Sequence, residues 1–200
     1  MARPARYDRD LIINSAASVI AKGGPASATI ARIAQALGAP TGSIYHRFAS
    51  RNELLGEVWL RTVAGFQNEI VAHLAASDPK TGGLAAVHAV PEWVRNHPQE
   101  ARILLLYRSD DFLQHGWPEP MSARAKKLRL QMTESLDDFC HRLLGRSDAT
   151  SLQIVGFALA EAPLAALRRY AKEGVAPPPI IDELLEGTYR AAMSLVGVRW

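Results

Sequence analysis

The 200-residue chain carries 23 Lys and Arg against 20 Asp and Glu, a formal charge of +3, with 48% apolar residues and a single cysteine, Cys140. That length and apolar content suffice for a core that needs neither disulfide nor metal, and one cysteine excludes an internal disulfide and any multi-cysteine metal site. Charged residues interrupt every apolar run well before about 18 residues, so no membrane span is expected, and no apolar stretch follows the basic N-terminus, so no secretory signal is expected and a reducing cytoplasm is the natural compartment.

The charge is unevenly placed. Residues 1–55 hold seven Lys and Arg (Arg3, Arg6, Arg9, Lys22, Arg32, Arg47, Arg51) against three acids, Asp8, Asp10 and Glu53, a balance of +4, and the rest of the chain balances at −1. A first helix is expected over 7–21, with Ile12, Ala16, Val19 and Ile20 inward, ended by Gly23-Gly24-Pro25. Ile30, Ile33, Ala34 and Leu37 then fall at the helical period behind a Thr29 N-cap, and Gly38 followed by Pro40 stops the helix. A second short helix starts near Thr41 with Ile44 and Phe48 inward. Its opposite side carries Gly42, Ser43, His46 and Arg47, flanked by Thr41 and Tyr45.

Two short helices around a Gly-containing turn, the second with a polar and basic open side, form a helix-turn-helix pattern, in which the second helix enters the DNA major groove. An ordinary helical hairpin with a solvated face has the same periodicity. The motifs Thr29-Ile-Ala-Arg-Ile-Ala, Leu37-Gly38, Gly42-Ser-Ile-Tyr-His-Arg-Phe48 and Ser50-Arg-Asn-Glu-Leu-Leu55 favour the DNA reader, because in order and spacing they resemble the N-terminal domain of the TetR family of transcriptional regulators. The resemblance covers about a quarter of the chain, from Asp8 to Leu55. Ile20 and Pro25 stand where that family usually has aromatics, and Ala39-Pro40 replaces the more usual Val-Ser.

Ser50 is expected to cap a long helix reaching to about Ala76, with Glu53 completing a capping box and Arg51 near a phosphate. The resemblance makes this the linking helix that transmits ligand binding. Ser77 to Gly83 reads as a turn-rich break, and helices are expected over 84–96 and from Gln99 to about Asp110, joined at His97-Pro98. A loop to Pro120 follows, then an amphipathic helix, Met121 to Leu144. Its basic patch, Arg124, Lys126, Lys127 and Arg129, reads as a solvated face. Ala149 to Glu173 is apolar around most of its circumference and needs burial on more than one side, and a last helix runs from Ile180 to Val196.

Catalytic chemistry is lacking. Cys140 and His141 point about 100° apart on a helix, the six histidines have no metal-ligand spacing, and Gly-rich phosphate loops and nucleophile motifs are missing. No cofactor, metal or catalytic residue is expected.

The sequence therefore predicts an all-α protein of about nine helices, with a DNA-binding domain over 1–50 and a ligand-binding and dimerisation domain over 51–200. The resemblance implies a cytoplasmic homodimeric repressor of a near-palindromic operator, released by a small apolar or aromatic effector. Thr29, Ser43, Tyr45 and Arg51 are the candidate phosphate contacts, and Thr41, Gly42, His46 and Arg47 the candidate base-edge contacts. Trp59, Phe66, Trp93, Tyr107, Phe112, Trp117, Phe157 and Glu161 are effector-site candidates, between the linking and dimer helices. Phe157, Leu164, Leu167, Leu184, Leu185, Tyr189 and Met193 are dimer candidates. The alternatives are a DNA-binding regulator without a ligand and a helical adaptor for another protein; the polar face and the +4 bias oppose the adaptor.

Overall fold

A computed structural model describes residues 7–112, 118–119 and 121–200. Its regular elements are helices: α1 (Arg9–Gly23), α2 (Ile30–Leu37), α3 (Thr41–Tyr45), α4 (Arg51–Leu74), α5 (Pro79–Asn96), α6 (Pro98–Leu106), α7 (Ser109–Phe112), α8 (Met121–Leu144), α9 (Ala149–Glu173) and α10 (Ile180–Leu195). A short 3-10 turn, Pro25–Ser27, separates α1 from α2.

The helix starts follow side-chain chemistry. Asp8, Thr29, Ser50, Asp78 and Asp148 each accept a backbone N–H in the first turn of the helix they precede. The cap on α5 moves its start ahead of the sequence expectation. Asp78 accepts from Lys80 and Thr81 N–H groups at 3.2 Å, and Pro79 sits at the first helical position, so the stretch read as a break is helical. The glycines within it permit close packing. A Cβ on Gly82 would lie 2.6 Å from the His73 carbonyl oxygen of α4, and one on Gly83 would overlap the Tyr189 hydroxyl and lie 2.8 Å from Phe139 Cζ.

Two other boundaries and one internal turn depart from expectation. α4 stops at Leu74, where Arg142 of α8 donates to the Leu74 and Ala76 carbonyls. α6 stops at Leu106 because Tyr107 is extended, and α7 forms a separate turn. Within α9 the turn Phe157–Glu161 is π-helical, with the Ala162 N–H bonded to the Phe157 carbonyl. Pro163 has no N–H for the Leu159 carbonyl, which accounts for the wider turn.

The apolar side chains form two cores. One joins α1, α2, α3 and the first turns of α4 through Ile12, Ile20, Ile33, Ile44, Phe48, Leu54 and Leu55, with Ile103 and Phe112 closing it. The other joins the distal half of α4 to α5, α8, α9 and α10 through Phe66, Leu74, Val90, Phe139, Leu167 and Tyr189. α9 is long and apolar enough to cross a bilayer by length and composition alone, a test that the core helix of a soluble protein passes as well. Its most apolar 18-residue window has only 33% of its residues buried in the protomer. That exposure bears on assembly below.

Cys140 is fully buried on α8, and burial, reinforced by Asp137 and Asp148, pushes its thiol up to about 11. Iodoacetamide at pH 8 should therefore leave Cys140 unmodified in the native protein and alkylate it in urea; rapid native labelling would contradict the packing. The Tyr189 hydroxyl, also buried, has no hydrogen-bond partner among the described residues. Tyr189→Phe should hold or raise the urea midpoint, because an unpaired buried hydroxyl costs about 1–3 kcal/mol. Gly83→Ala should lower stability by about 1–3 kcal/mol through overpacking.

Candidate nucleic-acid interface

The reading head is built from local stop and start signals. Thr29 Oγ1 accepts the Arg32 N–H at 3.2 Å at the start of α2. At its end Gly38 adopts the left-handed conformation, φ 67°, and the Ala39 N–H returns to the Ala34 carbonyl at 2.9 Å. The cap of α3 is Pro40, which offers no side-chain acceptor, so Thr41 is the first helical residue. Backbone bonds from His46 to Gly42 and from Phe48 to Ile44 carry the helical turn past Tyr45.

Ile44 and Phe48 are buried, which fixes the roll of α3 and turns its other side outward. Thr41, Gly42, Tyr45, His46 and Arg47 are all exposed, with Ser43 half-buried at the edge. Tyr45 is 58% exposed, large for an aromatic on a face without a partner. The candidate base-edge residues and the phosphate candidates Ser43 and Tyr45 thus share one short element, with Thr29 at the start of the neighbouring helix.

Arg51 is placed differently from the sequence expectation. Its Nε donates to the Ala28 carbonyl at 2.8 Å and its Nη2 to the Pro25 carbonyl at 2.6 Å, so it ties α4 to the turn before α2. Two further ties brace the head. The Tyr7 hydroxyl donates to the Gly38 carbonyl at 2.9 Å, at the turn between α2 and α3. Ser50 Oγ accepts the Glu53 N–H at 3.1 Å, and Glu53 Oε2 accepts the Ala49 N–H at 2.7 Å, a capping box displaced by one residue.

Arg9 is the residue that the sequence reading missed. Its guanidinium lies 4.2 Å from the Phe48 ring centre, donates to the Arg47 carbonyl at the end of α3, and reaches the Glu53 and Glu57 carboxylates at 3.5 and 3.7 Å. One signal was available: a cation in the first turn of a helix opposes the helix dipole, so Arg9 needed a compensating contact elsewhere.

The effector candidates separate into three places. Trp59 lines an open cleft of about 330 Å³ between α4 and α8, with Leu60, Val63, Leu128, Arg129 and Met132. Phe112, buried in the N-terminal core, stacks behind it with ring centres 5.0 Å apart. Phe66 and Trp93 pack edge to face at 5.1 Å in the C-terminal core, and Tyr107 packs on the N-terminal core. Phe157 and Glu161 instead line a surface groove of about 600 Å³ between α9 and α10. Trp117 lies outside the described residues.

The dimer candidates divide by burial. Leu167, Leu185, Tyr189 and Met193 are enclosed in their own protomer, which satisfies them without a second copy, and Leu164 is half-buried. Phe157 and Leu184 remain exposed at 46% and 59%. Beside them stand residues outside that set: Ile180, Ala191 and Leu195 are exposed, and Leu184, Thr188, Ala191 and Leu195 recur at helical spacing on one side of α10. Among the described residues no group of three or more His, Cys, Asp or Glu could hold a metal ion.

Residues 12–58 match the family of bacterial regulatory proteins named tetR. A search of the curated proteins gives no match to the chain. Solved structures with the same fold include a bacterial regulatory protein in the tetR family from Rhodococcus RHA1, with TM-score 0.72 and 19% identity over 96% of this chain and 98% of that one. Another is the TetR family transcriptional regulator PfmR from Thermus thermophilus, with TM-score 0.70 and 19% identity over 92% and 97%. A third is the transcriptional regulator FadR from Bacillus subtilis in complex with stearoyl-CoA, with TM-score 0.68 and 13% identity over 96% and 100%. The matched segment contains most of α1, all of α2 and α3 and the start of α4, so the N-terminal helix-turn-helix is similar to that of the tetR regulators, and the solved structures share the fold of the whole chain.

Proposed function

We propose that the chain is a ligand-responsive repressor that binds a near-palindromic operator as a homodimer. The carrying observation is the open face of α3, where Thr41, Gly42, Tyr45, His46 and Arg47 stand exposed on a helix whose roll is fixed by buried Ile44 and Phe48. Thr41, Gly42, His46 and Arg47 read base edges, and Thr29, Ser43 and Tyr45 hold phosphates. Arg51 aids phosphate binding chiefly by fixing the turn ahead of α2.

A five-residue recognition helix makes few contacts, so specific binding requires two half-sites about one DNA turn, roughly 34 Å, apart. The exposed apolar side of α9 and α10, with Phe157, Leu184 and Leu195, supports pairing of these helices with a second copy into a four-helix interface.

The α4–α8 cleft is the effector site. Trp59, Leu60, Val63, Leu128 and Met132 give it an apolar surface, while Gln67, Ser109, Thr133 and the exposed Arg129 supply polar groups around it. A molecule with an apolar body and one anionic group suits that lining, in keeping with the stearoyl-CoA held by the solved relative. The occupant favours a spacing of the two heads that misfits DNA, and its differential affinity for the two states sets the release.

Selection of genomic fragments at about 150 mM salt, a salt titration and a titration with sodium decanoate test this reading. A short near-palindrome, a steep salt slope and release by decanoate are expected, whereas weak, sequence-blind binding overturns it. Arg47→Ala should cost about 1–3 kcal/mol on the selected site and relax its specificity. Arg51→Ala should weaken all sequences alike and also lower the thermal midpoint, and equal losses of specificity from both variants would contradict the assignment.

A further inference from the structure

Glu57, on the second turn of α4, lies between two cations from helices far apart in the chain, α1 and α8. Its Oε1 is 2.6 Å from Arg124 Nη1 of α8 and 3.7 Å from Arg9 Nη2 of α1. The Glu57 side chain is only 16% exposed, whereas Arg9 and Arg124 are 45% and 50% exposed. A mostly shielded carboxylate must keep a cationic partner. The other donor of Arg9, Nη1, bonds to the Arg47 carbonyl, and its guanidinium lies against Phe48, at the exit of α3.

This chain of contacts begins at the cleft. Arg124 adjoins Ala125, which lines the α8 wall, and Glu57 is two residues before Trp59 on the α4 wall. The Arg124–Glu57 pair therefore lies beside one end of that cavity and holds its two walls together. A separation of about 1 Å would carry 2.6 Å beyond hydrogen-bond range.

We infer that Arg9, Glu57 and Arg124 are positioning residues that relay occupancy of the α4–α8 cleft to the recognition helix. With the cleft empty, Arg124 satisfies Glu57 and leaves Arg9 on the Arg47 carbonyl and Phe48. When an occupant parts α4 from α8, Glu57 loses Arg124 and draws Arg9 toward itself. The end of α3 then loses its clamp. The relay rests on the ligand-responsive reading above and specifies how that site is regulated.

Arg124→Gln mimics the occupied state although the residue lies on α8, outside the reading head. Its affinity for the selected fragment should fall about five- to twentyfold, within the usual range of coupling between sites, with non-specific binding nearly unchanged. Arg124→Lys should restore most of the loss. Glu57→Gln combined with Arg124→Gln should bind as Glu57→Gln alone does, since both changes break one link. Without DNA, amide exchange at Arg47 and Phe48 should speed up in Arg124→Gln while the amides of α2 stay as in the wild type.

Wild-type affinity and unchanged α3 exchange in Arg124→Gln would overturn the relay and leave the repressor reading intact. Uniformly faster exchange across all helices would reduce the pair to general stabilisation and also overturn it. Failure of the wild-type protein to select any fragment would overturn the repressor reading and the relay with it.

Discussion

One helix serves two cores, and the rest of the molecule is arranged on that constraint. α4 contributes Leu54, Leu55 and Val58 to the N-terminal core and Phe66, Ile70 and Leu74 to the C-terminal one. At about 1.5 Å per residue it spans roughly 36 Å without a break. A close-packed core does not yield continuously to strain, so a change of packing at one end of α4 is felt at the other as displacement. The N-terminal helices consequently sit on the end of a lever whose far half is embedded in the C-terminal core.

Arginines hold this arrangement at the helix ends. Arg142 donates to the Leu74 carbonyl at the end of α4 and to the Ala76 carbonyl just beyond it, and Arg102 of α6 donates to Ala21 of α1 and to Ala171 and Lys172 of α9. Each places a cation where the helix dipole is negative and satisfies carbonyls that have no partner within the helix. Arg102 thereby joins the first helix of the reading head to a helix of the exposed apolar face. Ile103, its neighbour on α6, enters the N-terminal core while Ala101 and Leu105 enter the other, so α6 is a second bridge between the two halves.

The reading head was legible in the sequence because its signals are local. Periodicity located Ile33, Ala34 and Ile44, the Thr29 and Ser50 caps marked two helix starts, and Gly38 marked a left-handed end. Long-range pairings were not legible. That Arg51 faces the Pro25 and Ala28 carbonyls, or that Arg9 clamps the end of α3, depends on partners 23 to 38 residues away. The start of α5 was misplaced because Gly82 and Gly83 resemble a turn, whereas they provide clearance for His73, Phe139 and Tyr189. Apolar character alone likewise could not separate Leu185, inside its own protomer, from Leu184 beside it on the surface.

The central claim is that filling the α4–α8 cleft moves two paired reading heads relative to each other. Pulsed dipolar spectroscopy on spin-labelled Ala36→Cys, an exposed position on α2, measures this directly, since buried Cys140 should stay unlabelled. The account predicts one narrow inter-protomer distance on operator DNA and a shifted distribution when decanoate releases that DNA. An unchanged distance on release, or the absence of any inter-protomer distance, would contradict it.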